Sequence, residues 1–119
     1  MKTDSKNLMV PVNISELLEI MDDDMELVKE CFDDFETDSV KQLQAINENI
    51  NAGDFSRLKA NAHKLKGTLR YLAAENASKL AFTLETMGTD KNLVSAKETF
   101  DNLANECKRV IAYMAKYKK

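Results

Sequence analysis

Apolar residues recur along most of this 119-residue chain at the three-and-four spacing of an α-helix. Ile14, Leu17, Leu18 and Met21 predict a short helix over about 13–21, opened by an asparagine version of the capping box in which Asn13 is followed three residues later by Glu16. The acidic trio Asp22, Asp23 and Asp24 then suits a second N-terminus, where carboxylates meet free backbone N–H groups and the positive end of the helix dipole. From there Val28, Phe32, Phe35, Leu43, Ile46 and Ile50 hold one face across the polar stretch Thr37-Asp38-Ser39, as one long helix or two kinked ones. Gly53 reads as its C-cap and Asp54 as the N-cap of the next helix, about 54–72, whose apolar side is Phe55, Leu58, Ala62, Leu65, Leu69 and Leu72. A fourth helix over about 74–87 carries Ala77, Leu80, Ala81, Leu84 and Met87, with Gly88 closing it. The last, about 91–117, has a bundle seam of Leu93, Phe100, Leu103, Cys107, Val110, Met114 and Tyr117.

Short connections between successive long helices make neighbours antiparallel, so the predicted fold is all-α: an up-and-down four-helix bundle with a short extra N-terminal helix. Residues 1–11 are polar, contain the sole proline, Pro11, and show no periodicity, which suits a tail or linker ahead of one domain over 12–119. Three glycines, one proline and no tryptophan fit a few long helices. Cys31 and Cys107 lie far apart inside apolar segments and read as reduced core residues rather than a metal or redox pair. No apolar run is long enough for a signal peptide or a membrane span, and the cytoplasm is the expected compartment. A net charge of −3 argues against gripping nucleic acid or an anionic membrane through bulk charge, so any basic function must be local.

One local basic site exists. On a wheel of about 100° per residue, the only histidine, His63, falls nearly opposite the apolar side of its helix, on a stripe with Lys59, Lys66 and Arg70. Small residues, Ala60, Gly67 and Ala74, are expected beside it as a flat shelf. A glycine inside a helix costs roughly 0.5–1 kcal/mol relative to alanine, so Gly67 needs a reason, and close approach of a partner backbone supplies one. An exposed imidazole among cations suits phosphoryl transfer, because neutral imidazole is an adequate nucleophile and its phosphoramidate is labile enough to pass the group on. Neighbouring cations, Lys66 best placed among them, would offset charge on the phosphoryl oxygens.

The run Ala62-His63-Lys64-Leu65-Lys66-Gly67, followed by Leu80 and by Leu84-Glu85 in the next helix, resembles the histidine-containing phosphotransfer (HPt) domains of two-component phosphorelays. The Gly53-Asp54-Phe55 lead-in is similar too, and the resemblance extends from about Ile14 onward. It implies a four-helix bundle phosphorylated on His63, with Lys66 supporting the phosphoryl group and Gly67 clearing room for the partner. Lys59, Ala60, Lys64 and Arg70 would support phosphate or line the docking face. The implied partners are response-regulator receiver domains, whose aspartate exchanges the phosphoryl group with the histidine. No ATP site and no cofactor of the chain's own is implied, and Mg²⁺ is held by the receiver. A monomer is expected. A free-standing relay protein and the C-terminal module of a hybrid sensor kinase both fit, the linker-like first eleven residues leaning toward the second. The sequence departs from many members at Ala73-Ala74, where a glycine is common, and at Leu69-Arg70-Tyr71, where smaller residues are.

Other readings fit less well. A histidine-kinase dimerisation domain typically follows its histidine with an acid and soon a proline, whereas Lys64 follows here and no proline does. Solitary glycines at 53, 67 and 88 make no phosphate-cradling loop, so autonomous kinase activity is not expected. One histidine and two distant cysteines are too few for a metal or haem site, and no base is paired with a nucleophilic serine or cysteine. The main alternative is a non-phosphorylated helical interaction module that docks a signalling partner. A pure docking surface has no need of the His63, Lys66 and Gly67 set.

Overall fold

The structure, a computed structural model, describes residues 10–116, and every regular element among them is a helix. In chain order these are α1 (Ile14–Ile20), α2 (Met25–Ala52), α3 (Phe55–Tyr71), α4 (Glu75–Asp90) and α5 (Ala96–Ala115). Most of the expected tail, residues 1–9, and the expected seam residue Tyr117 lie outside the described residues.

The caps act as the residue types dictate. Asn13 accepts from the Glu16 N–H at 3.1 Å, Asp24 from the N–H groups of Glu26 and Leu27 at 3.1 Å each, and Asp54 from Arg57 N–H at 3.1 Å. Each bond satisfies a donor the first helical turn would otherwise leave open. Of the acidic trio only Asp24 caps; Asp22 and Asp23 form the turn before it, at φ 52° and 58°, a left-handed conformation aspartate tolerates better than most residues. Gly53 ends α2 at φ 67° as expected, and α2 is one unbroken helix of 28 residues. Ser39 turns its buried side inward there, while Thr37 and Asp38 stay exposed.

The core is drawn from all five helices, with Leu17, Phe32, Ile46, Leu65, Leu84 and Leu103 among its fully buried side chains. α3 and α4 form the most extensive helix pair, α5 packs against α4 and α2, and α2 against α3. Amides of Asn49 and Asn61 meet at 2.7 Å across the α2–α3 contact. Pro11 and Val12 are buried, and the Asn13 N–H donates to the Ala73 carbonyl at 3.0 Å, fastening the start of α1 to the α3–α4 turn. No helix among the described residues is long and apolar enough to cross a membrane.

Two boundaries differ from the sequence reading. α4 does not close at Gly88 but runs to Asp90 and is capped by Lys91 at φ 54°. Gly88 is buried within the helix, and a Cβ there would stand 2.9 Å from both Lys59 N and Phe55 O of α3. It is a clearance residue between helices, not a stop. α5 begins at Ala96 rather than near 91, because residues 91–95 form the turn that brings it back. Both cysteines are free thiols, but only Cys107 is a core residue; Cys31 is half-buried, its Sγ 4.0 Å from Met21 Sδ. Burial pushes the Cys107 thiol up to about 12 and raises that of Cys31 as well, with Asp34 and Glu30 adding to the latter.

Candidate functional site

Burial of Leu58, Ala62, Leu65 and Leu69 fixes the rotation of α3, and His63 is therefore turned outward, its side chain 66% exposed. What the single-helix wheel does not contain is α4. That helix presents Ala77, Ala81 and Gly88 as small buried residues, and α3 offers Ala62, so the two backbones approach closely. The close approach carries Glu85 up to the histidine.

Glu85 bridges the site. Its Oε2 lies 2.9 Å from His63 Nδ1 and its Oε1 2.8 Å from Lys66 Nζ. Burial on its own would raise the Glu85 carboxyl, but the hydrogen bonds from Lys66 and His63, reinforced by their charge, outweigh it and hold the group below the ordinary carboxylate value. An ionised carboxylate only accepts, so Nδ1 is the donor of this bond, and whenever the ring is neutral its lone pair lies on Nε2.

Lys66 is one turn from His63 as the spacing requires, yet its ammonium is bonded to Glu85 and lies 4.9 Å from the centre of the Phe82 ring. Its side chain is only 16% exposed as a result. Lys59, Ala60, Lys64 and Arg70 are all exposed, and so is Gly67, where a Cβ would meet nothing within 4 Å. The helix itself therefore does not require glycine at 67.

Two expectations change. Ala74 is not on the shelf beside the imidazole but fully buried, because α3 ends at Tyr71 and Ala73 turns the chain at φ 58°. This left-handed position is where glycine is favoured, and it coincides with the place where the sequence departs from the HPt pattern. His63 also sits beside more than cations, since its hydrogen-bond partner is the carboxylate of Glu85. Neither Glu85 nor Phe82 was singled out by composition or wheel; the only signal for Glu85 was the Leu84-Glu85 pair. Among the described residues, no three His, Cys, Asp or Glu side chains are grouped to hold a metal ion.

Comparisons with known proteins bear on the family and the fold. A family model described as Hpt domain matches residues 30–113. The structure is similar to that of histidine-containing phosphotransfer protein B from Pseudomonas aeruginosa PAO1, with a TM-score of 0.85 over 91% of this chain and 94% of that one, at 19% identity. At that identity the likeness speaks to the fold. No curated protein matches the sequence.

Proposed function

We propose, for a chain that belongs to the Hpt domain family and so serves as a histidine-phosphotransfer intermediate of a phosphorelay, that the phosphoryl group is carried on Nε2 of His63. The observation that carries this reading is the bridge from His63 Nδ1 through Glu85 to Lys66. It keeps the proton on one ring nitrogen and so the lone pair on the other.

Hpt domains exchange phosphoryl groups with receiver domains, and the steps follow from that tautomer. Nε2 attacks the phosphorus of the receiver's aspartyl phosphate, the P–O bond to the aspartate breaks, and the aspartate leaves as a carboxylate. The imidazole now carries both the phosphoryl group on Nε2 and the proton on Nδ1, and Glu85 balances the positive ring. In onward transfer an aspartate carboxylate attacks phosphorus, the N–P bond breaks, and the ring departs neutral with its Nδ1 proton in place. No proton has to be moved in either direction. Lys66, one turn away, offsets charge on the phosphoryl oxygens, while Lys59, Lys64 and Arg70 supply a basic rim for the partner. Ala60 and Gly67 leave room for its backbone. The Mg²⁺ of the reaction belongs to the receiver.

Among the described residues from 12 onward, the packing of α2 to α5 supports an antiparallel up-and-down four-helix bundle, with α1 as the short extra helix. We read it as a cytoplasmic monomer, in a free-standing relay protein or as a module of a hybrid sensor kinase. The test is to incubate the domain with a receiver domain loaded by a small phosphodonor and follow label. Acid-labile, base-stable label that vanishes in His63→Gln is expected. Label that persists in that variant, or no transfer from any receiver tried, returns the chain to the docking-module reading.

A further inference from the structure

Beside the phosphoacceptor stands an aromatic ring that neither the core nor the chemistry of His63 uses. Phe82, on the turn of α4 preceding Glu85, is 54% exposed, whereas its neighbours Ala81 and Leu84 are fully buried. Its ring centre is 4.9 Å from Lys66 Nζ, Lys66 is bonded to Glu85, and Glu85 to His63. Three contacts, none longer than 4.9 Å, thus join an exposed phenyl ring to the imidazole.

We propose that Phe82 is an aromatic anchor for the receiver domain that meets His63, extending the docking face from α3 onto α4. This rests on the phosphorelay reading above. Transfer requires the receiver's aspartyl phosphate within bonding reach of Nε2, so the rim of that partner must surround His63. A specific interface covers about 800 Å² per partner, a disc of about 16 Å radius, and Phe82 falls inside it. Within such a footprint the binding energy concentrates on a few aromatic or arginine side chains enclosed by less important contacts. The face around His63 has that composition: the cations Lys59, Lys64 and Arg70 on α3, small residues at Ala60 and Gly67, and the Phe82 ring on the α4 side. Its cations complement the negative charge of the aspartyl phosphate it must receive, and the ring adds apolar area at the edge of the same face.

The ring has a second consequence. Because it lies against the Lys66 ammonium, a partner seated on Phe82 also removes water from the Lys66–Glu85 pair, which strengthens both the ion pair and the cation–π contact. Docking and support of the phosphoryl group are coupled through one side chain.

The experiment uses the full chain as wild type, Phe82→Ala and Phe82→Tyr, with a receiver domain that exchanges label with wild-type His63. The receiver-concentration dependence of transfer gives KM and kcat, calorimetric titration gives Kd, and thermal melts report the fold. Phe82→Ala should raise KM and Kd at least tenfold with the melt unchanged, and Phe82→Tyr should restore both. Unchanged KM and Kd in Phe82→Ala, with wild type labelled normally, overturn the anchor and leave the relay reading intact. A loss that merely follows a lowered melting temperature overturns it too. Absence of label on wild-type His63 would sink the relay reading and the anchor with it.

Discussion

Replacing Gly88 with alanine tests whether the spacing of α3 and α4 is what delivers Glu85 to His63. The added Cβ would stand 2.9 Å from Lys59 N, 2.9 Å from Phe55 O and 3.1 Å from Lys59 Cα, all backbone atoms that no rotamer change can move aside. Ordinary contact begins near 3.4 Å, so the helices must part by about 0.5 Å around residue 88. Overpacking of this kind costs roughly 1–3 kcal/mol, while alanine's better helix propensity returns about 0.5–1 kcal/mol. The net expectation is a destabilisation of about 1–2 kcal/mol, or a fall in Tm of roughly 4–8 °C for a domain of this size. Urea denaturation should show a lower midpoint at an unchanged slope, the mark of lost stability rather than an altered unfolded state. Glu85 lies one turn before Gly88, so its 2.9 Å bond to His63 should lengthen and phosphoryl transfer slow in the same variant. A Gly88→Ala protein that melts at or above the wild-type temperature would refute the close-approach account, since propensity alone would then have decided the outcome.

The other glycine of the site should behave oppositely: the added methyl of Gly67→Ala meets nothing within 4 Å, so the variant should gain about 0.5–1 kcal/mol of stability, seen as a higher denaturation midpoint, while raising KM for the receiver. Glu85 supplies a pH test. Its folded-state carboxyl is held below its ordinary value of 4.5, so its contribution to stability is complete above that value and is lost as pH falls through the lowered one. Denaturation followed from neutral to acid pH should therefore show a steeper acid limb in wild type than in Glu85→Gln. Lys66→Ala should slow transfer while the domain stays folded, and, because the Lys66 bond is the main cause that holds the Glu85 carboxyl down against burial, its loss should flatten the acid limb toward that of Glu85→Gln. Equal acid limbs in these proteins would remove the bridge from the account.

Features set by a residue and its immediate neighbours were legible in the sequence. Asn13, Asp24 and Asp54 cap by local side-chain geometry, Gly53 takes a left-handed φ its type permits, and the wheel of α3 correctly turned His63 outward. Failures arose wherever a second helix made the decision. Gly88 looked like a terminator because glycine often is one, yet its role is to admit the backbone of α3. Ala74 was placed beside the imidazole by extending the wheel past Tyr71, where the chain has already turned at Ala73. Glu85 lies 22 positions from His63, and its contact depends on how close α3 and α4 stand, which no pattern within either helix expresses. Lys66 was recognised by spacing, but its bond to Glu85 and its cover by Phe82 were invisible for the same reason.

The small residues along α4 have a bearing on transplantation. Copying His63, Lys66 and Gly67 onto some other bundle would reproduce the motif but leave the imidazole without its carboxylate, because ordinary leucine-lined helices sit too far apart for a glutamate to arrive. Ala77, Ala81 and Gly88, none of which approaches a phosphoryl group, would have to travel with the graft. For a protein engineer the minimal portable unit is thus a pair of helices at a set separation, not a string of residues.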